Sequence, residues 1–368
     1  MRSRVPLADH TICILCLERL MVRKDVEDAY RVLLGREPES ADVIDFHLSH
    51  PSTSAMIKEI AHSPEALSRL GLSSVFPNPL LHYNTMLDVV GIVKGMVDLE
   101  RKPRDGFNVN FQGVAVPTDV FEFLKHTSGQ LDPIPIPGNY HADTAEWAAA
   151  FRSVQLARET FTMIELGSGW GCWMANTGFA AKRRGLKIEV IGVEGDPMHI
   201  EMCERTMSAN GIAPSEYRVI RGIAAGKPGY ALFPRANGAM NGWGSEPIFG
   251  ATEEESRRAV ESGEYDSLEL TTLATVIGDR PKIDLLHIDI QGGEGDLIAQ
   301  TVDLLTEKVA YVLIGLHSRV LEGGIIETML SRGWFLEIER PTIFELDNGV
   351  PRTTIDGVQA WRNPKFNP

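Results

Sequence analysis

Apolar positions along the chain change their spacing near residue 160. In the first part they recur at helical intervals. Between residues 25 and 34 the stripe is Val26, Ala29, Tyr30, Leu33 and Leu34, and Gly35 stands where such a helix should stop. Ser40 is placed to cap a second helix carrying Val43, Ile44, Phe46 and Leu48, which His50-Pro51 ends. A third helix fits residues 52–61, and Ser63-Pro64-Glu65 opens a fourth. Residues 1–75 therefore read as a small N-terminal all-helical domain.

Residues 76–137 are punctuated by Pro77, Pro79, Pro103, Pro117, Pro133, Pro135 and Pro137, and the run 132–138 suits neither a helix nor a central strand. Apart from a helical piece at 83–97, this stretch reads as a linker leading into a lid. A further helix follows at 145–156. From residue 160 short β-branched runs alternate with helices. Strands are expected at 161–166, 188–193, 217–221, 283–290 and 309–316, with helices at 197–210 and 296–305 among them. That alternation predicts an α/β domain over 138–368, a mostly parallel sheet with helices on both faces. Residues 334–339, 342–345 and 357–362 would add an antiparallel edge. The segment 236–246, rich in Gly and Asn, reads as a flexible loop.

Composition narrows the classes. A hydrophobic fraction of 43% supplies a core, and 368 residues suggest two units. The formal charge of −14 argues against a nucleic-acid partner, which would need clustered Lys and Arg. Four cysteines make no disulfide framework. Cys13 and Cys16 sit in an apolar, helix-like run, and Cys172 and Cys203 read as packed thiols. Lacking a signal peptide or an apolar run of membrane-spanning length, the chain is expected in the cytoplasm. A homo-oligomer is compatible with the helical domain.

Ligands of open α/β sheets bind beyond the carboxyl ends of the strands. The first strand ends in Glu165-Leu166-Gly167-Ser168-Gly169-Trp170-Gly171. Its glycines let backbone approach a ligand closely. The acidic residue two positions before the first glycine, and G-x-G-x-G in place of G-x-G-x-x-G, favour a class I, Rossmann-like methyltransferase binding S-adenosylmethionine over a dinucleotide enzyme. Glu194, ending the second strand beside Gly195, is the candidate for both ribose hydroxyls. Gly222 and Ile223 would line the adenine edge. Tyr140 and His141 precede the domain's first strand and are placed to close the pocket, Tyr140 toward the cofactor and His141 toward the acceptor.

The fourth strand leads into Asp289, Gln291 and Glu294. Strand alternation puts His287, Asp289 and Gln291 on one side. Asp289 falls where a methyl donor is expected, with Gln291 and Glu294 on the following turn as acceptor contacts. Trp243, in the loop, is a candidate to stack on a sugar face or on adenine.

Two resemblances follow from these residues. The run 29–38 with Ile60-Ala61-His62-Ser63-Pro64-Glu65 resembles the DUF4214 helical module, which is often attached to bacterial surface-glycan proteins. The glycine turn, Glu194, the block Asp284, Leu285, Ile288, Asp289, Gly292 and Glu294, and the later Gly315-Leu316-His317-Ser318-Arg319 with Glu322 and Gly333-Trp334, resemble the FkbM family of methyltransferases. The sequence departs from it at His287, where the family often has Lys, and at Gln291, where it usually has Glu.

The resemblance implies methylation of a hydroxyl, commonly on a sugar or polyketide. An alcohol is a poor nucleophile until deprotonated, so a base is needed. His317 is the first candidate and Asp289 the second. A divalent metal on Asp289 with Glu294, His287 or His317 is an alternative, less favoured because no second carboxylate pair follows the fifth strand. Other open readings are a macrolide or other secondary-metabolite acceptor, a non-catalytic glycan-binding scaffold, and a nicotinamide oxidoreductase.

Overall fold

The structure, a computed structural model, describes residues 21–61, 63–69, 78–235 and 244–367. Two compact units emerge, Met1–Asn78 and Pro79–Pro368.

The first unit contains helices α1 (Arg23–Leu33), α2 (Ala41–Leu48), α3 (Thr53–Ala61) and α4 (Pro64–Arg69). Ser40 caps α2 as expected, its hydroxyl accepting the Val43 N–H at 3.3 Å. The apolar stripe packs Val26, Ala29, Tyr30 and Leu34 against Ile44, Met56, Ile60 and Ala66. Cys13 and Cys16 lie outside the described residues.

The second unit is built on an eight-stranded sheet. Its strands are β1 (Asn84–Thr85), β2 (Thr160–Leu166), β3 (Lys187–Glu194), β4 (Tyr217–Arg221), β5 (Leu285–Ile288), β6 (Tyr311–Leu316), β7 (Phe335–Arg340) and β8 (Gly357–Arg362). Across the sheet the order is β1-β7-β8-β6-β5-β2-β3-β4. The run β6-β5-β2-β3-β4 is parallel, and β8, β7 and β1 extend it antiparallel. The fold is thus α/β with a mostly parallel sheet and helices on both faces.

Period-two alternation decides which side chains reach each face. Phe161 and Met163 of β2, Val190 of β3 and Leu285 of β5 join a core with α5 (Thr144–Leu156), α6 (Cys172–Arg183) and α7 (Pro197–Ala209). Ile164, Leu166, Ile191, Val193, Leu286 and Ile288 point the other way, to α8 (Glu294–Lys308) and α9 (Arg319–Ser331). Each large side chain buried here contributes about 1.5–3 kcal/mol. The same alternation assigns Glu165, Glu194 and His287 to the face of α5 and α6, at the carboxyl ends of their strands.

One stretch differs from the sequence reading, and another adds to it. Residues 79–137, expected as linker and lid, are built into the second unit. Phe107–Val109 pairs with Ala115–Pro117 and with Gln130–Leu131, and Phe111, Val114, Val116, Val120 and Leu124 enter the core. Strands two or three residues long leave no periodicity to read, and Pro117 ends one of them. Between β4 and β5 the sequence reading took only 236–246 as a loop, of which 236–243 lie outside the described residues. The region holds a four-stranded sheet in the order Ile248–Phe249, Tyr230–Pro234, Tyr265–Thr272 and Ile223–Ala225. The helical piece expected at 83–97 is the short strand β1 followed by a helix over Val89–Lys94. No helix among the described residues is long and apolar enough to cross a membrane.

Candidate functional site

A cavity of about 460 Å³ opens at the carboxyl ends of β2, β3 and β5. The turn after β2 forms its floor. Gly167, Gly169 and Gly171 all have positive φ, at 76°, 50° and 78°. At Gly167 a Cβ atom would lie 2.0 Å from the Asp289 carbonyl oxygen, so only glycine lets the β2 and β5 ends come together.

Glu165 closes the amino end of α6. Its Oε2 accepts the Met174 N–H at 2.9 Å and its Oε1 the Trp173 N–H at 3.4 Å. Burial nonetheless pushes its carboxyl up to about 8 against those two bonds. Glu194 ties the glycine turn to β3. Its Oε2 accepts the Gly169 N–H at 2.7 Å and its Oε1 the Asp196 N–H at 2.8 Å. An ionised carboxylate has about four lone-pair sites, so both oxygens keep capacity for a ligand. Two buried polar atoms of the turn, Ser168 Oγ and Trp170 Nε1, have no hydrogen-bond partner among the described residues.

β5 ends at Ile288, earlier than the sequence suggests, and Gln291 adopts φ 57° in the turn that follows. His287, Asp289 and Gln291 all line the cavity even so. Gln291 Nε2 donates to Asp289 Oδ1 at 3.4 Å. Glu294, the first residue of α8, is fully buried and absent from the cavity wall, which corrects its assignment as an acceptor contact. Its Oε1 instead accepts the N–H groups of Ile290 and Gly292, at 3.0 and 3.2 Å, and fixes the turn that carries Asp289.

His317 follows β6. Its Nε2 lies 3.4 Å from Asp289 Oδ1 and its Nδ1 3.1 Å from Glu294 Oε1. It stands behind Asp289 and does not line the cavity. Burial alone would lower its pKa, but Glu294, Asp289 and Asp356 outweigh burial and raise it to about 9. At neutral pH the ring is therefore an imidazolium, unsuited to the role of free base expected for it. Burial raises Asp289 to about 6, with His317 opposing. Glu294 is held below its ordinary value because His317 outweighs the burial that would raise it. Ligand atoms of Asp289, Glu294 and His317 lie within 4.8 Å of one another, a spacing open to a metal ion.

The remaining sequence candidates divide. Gly195, Gly222, Ile223 and His141 line the cavity. Tyr140 does not; its ring packs edge-on against Phe121 and Phe123. Trp243 lies outside the described residues, although Gly244 and Ser245 beside it reach the wall. The sequence reading missed Glu146, Phe121, Trp173, Phe233 and His199 in the lining. Asp143 and Glu146 form a capping box at the start of α5, with Glu146 N–H donating to Asp143 Oδ1 at 2.9 Å, so D-x-x-E was the available signal. Burial, with the Asp143 carboxylate adding to it, raises Glu146. Burial also lowers His141 to about 4 and His287 to about 3, so both rings are neutral.

A family model described as Methyltransferase FkbM domain matches residues 162–333. A protein of Jannaschia sp. (strain CCS1), whose name assigns it provisionally to the methyltransferases, is 45% identical over 260 residues, covering 70% of this chain and 93% of its own. Among solved structures, the methyltransferase FkbM of Methylobacillus flagellatus KT is 12% identical, covers 60% of this chain and 55% of that one, and gives a TM-score of 0.37. The N-terminal domain of human METTL16 in complex with SAH is also 12% identical, covers 62% and 74%, and gives 0.32.

Proposed function

The chain belongs to the FkbM family of methyltransferases, and from that premise we propose that it transfers a methyl group from S-adenosylmethionine to a hydroxyl of a sugar or glycan. One observation carries the cofactor reading. Glu146, Glu165, Glu194, Asp289 and Asp296 line the cavity, against the single cation Lys227 among the described residues. Burial raises Glu146, Glu165 and Asp289 above their ordinary values, and a ligand bearing positive charge would favour their ionised forms.

The residues present fit the group. The cavity of about 460 Å³ gives room, and Ser168 Oγ and Trp170 Nε1, unpartnered among the described residues, give hydrogen-bonding capacity for a polar ligand. Glu165 and the glycine turn would hold its amino acid end, Glu194 its ribose, and Gly222 and Ile223 its base. When bound, S-adenosylmethionine would supply an electrophilic sulfonium methyl group, with neutral S-adenosylhomocysteine as the leaving group.

Asp289 lines the cavity and is ionised above about pH 6, so it is the group that takes the acceptor's hydroxyl proton. The His317 imidazolium behind it keeps that carboxylate ionised and aimed, and Glu294 keeps His317 charged. Gln291, whose amide bonds to Asp289, borders the acceptor space beside His141. Aromatic faces at Phe121, Trp170 and Trp173 suit an acceptor with both apolar ring faces and hydroxyl edges.

Purified full-length protein, methyl-labelled S-adenosylmethionine and a cell-surface glycan extract test the proposal. A base-stable labelled glycan is expected. Labelling only of a macrolide or other secondary metabolite would overturn the acceptor, and affinity for NAD without affinity for S-adenosylhomocysteine would overturn the cofactor.

A further inference from the structure

The helical unit carries a cluster of ligand-type side chains unrelated to the cavity. His47 lies in the last turn of α2, His50 follows two residues beyond that helix, and Glu59 projects from α3. One ligand atom from each lies within 4.8 Å of the others. We propose that His47, His50 and Glu59 bind a divalent transition-metal ion of the zinc type, with a fourth position left to water.

The hydrogen bonding around the two rings carries the argument. His50 Nδ1 lies 3.0 Å from the His47 carbonyl oxygen, which can only accept. That nitrogen must therefore hold the proton, and in the neutral ring Nε2 carries the lone pair. Nε2 faces the Glu59 carboxylate, itself an acceptor. Two acceptors meet there and need a cation between them, a proton or a metal ion.

His47 points to the metal. Its Nε2 is 3.0 Å from the Tyr30 hydroxyl, while its Nδ1 has no partner among the described residues although the residue is only 7% exposed. A buried ring nitrogen without a partner is costly in a folded core. With Nε2–H donating to Tyr30, the Nδ1 lone pair is free for a ligand. Each ring thus has one nitrogen tied to an oxygen and the other left for a cation, the arrangement in which an outer hydrogen bond fixes the tautomer of a metal-binding histidine.

The rings are stacked, with centroids 5.5 Å apart and planes 26° apart, so they approach a common site side by side. Zinc bonds of ~2.0–2.1 Å require ligand atoms roughly 3.3 Å apart. The Glu59 side chain, 51% exposed, has the freedom to open from its contact with His50 to that spacing. Two imidazoles and one carboxylate select zinc-type ions over Mg²⁺ or Ca²⁺, which take mostly oxygen ligands. An ion here would clip α2 to α3 beside Tyr30, whose ring is part of that unit's core.

The test is a zinc titration of the full chain against a competing chelating dye, with Co²⁺ as a spectroscopic probe. Removing His47 would disturb the core, so His50→Gln and Glu59→Gln are the variants, with far-UV circular dichroism as the check on folding. The wild type should bind one more equivalent of Zn²⁺ than either folded variant, or bind it at least tenfold more tightly. Its Co²⁺ complex should show the visible absorption of nitrogen-ligated cobalt, weakened in both variants. Zinc bound at the Asp289, Glu294 and His317 cluster would persist in these variants and is thereby separated. Equal stoichiometry, affinity and cobalt spectrum in all three proteins would overturn the proposal.

Discussion

His317 Nε2 lies 3.4 Å from Asp289 Oδ1, and this contact divides the labour between the two residues. The histidine is raised to about 9 and the aspartate to about 6. Between those values the pair holds an imidazolium and a carboxylate, so in the proposed mechanism the proton acceptor is the aspartate. The activity should trace a bell against pH. As pH rises through about 6 Asp289 loses its proton and the rate climbs; through about 9 His317 loses its own and the rate falls. Initial rates at saturating acceptor from pH 5 to 10 check this. A flat profile across pH 6 would remove Asp289 as the base, and Asp289→Asn should cost about 10²–10⁴ in rate.

His317→Gln separates positioning from proton transfer. The imidazolium lowers the Asp289 pKa, so its loss should move the acid limb of the profile to higher pH and abolish the alkaline limb near 9. An unshifted acid limb with reduced rate would mean that His317 acts on packing alone.

How much of this was legible follows from where each signal is stored. β2 to β6 announce themselves because buried parallel strands are short apolar runs between helices, and Glu165, Glu194 and Asp289 sit at fixed places at their ends. Ile223–Ala225 was hidden because its partner Leu270–Thr272 lies far along the chain, and strands this short carry little pattern. Glu146 had a local signal in the D-x-x-E capping box of α5, but that pattern speaks of a helix start and not of a cavity wall. The charge on His317 could not be read at all, since it depends on Glu294 folding back beneath it from α8.

Gly167 should tolerate no side chain. Its φ of 76° disfavours other residues, and a Cβ would meet the Asp289 carbonyl oxygen at 2.0 Å. Gly167→Ala should destabilise the fold by on the order of 3 kcal/mol and abolish S-adenosylhomocysteine binding. Denaturant unfolding and calorimetric titration would show it. Unchanged affinity would place the cofactor elsewhere.

Glu194 holds two backbone N–H groups and, in the proposed complex, two ribose hydroxyls. Glu194→Gln keeps the size but replaces one acceptor oxygen with a donor. Hydrogen bonds to a charged group are worth about 1.5–3 kcal/mol, so affinity for S-adenosylhomocysteine should fall roughly 10–150-fold. The effect should be larger on cofactor KM than on the rate at saturating cofactor. A variant that binds as tightly as the wild type would refute ribose recognition by Glu194.

The Asp143–Arg340 ion pair joins the start of α5 to β7, and both side chains are almost wholly buried. Asp143 also accepts the Glu146 N–H, which sets the turn of α5 where Glu146 meets the cavity. Removing one member of a buried pair strands the other charge, a cost of about 3–5 kcal/mol. Asp143→Ala should therefore unfold at clearly lower denaturant concentration. Arg340→Met should be milder than Asp143→Ala, because Asp143 keeps the α5 amide as a partner when the guanidinium is gone. Equal losses in the two variants would mean that the ion pair, and not the helix cap, accounts for the whole contribution of Asp143.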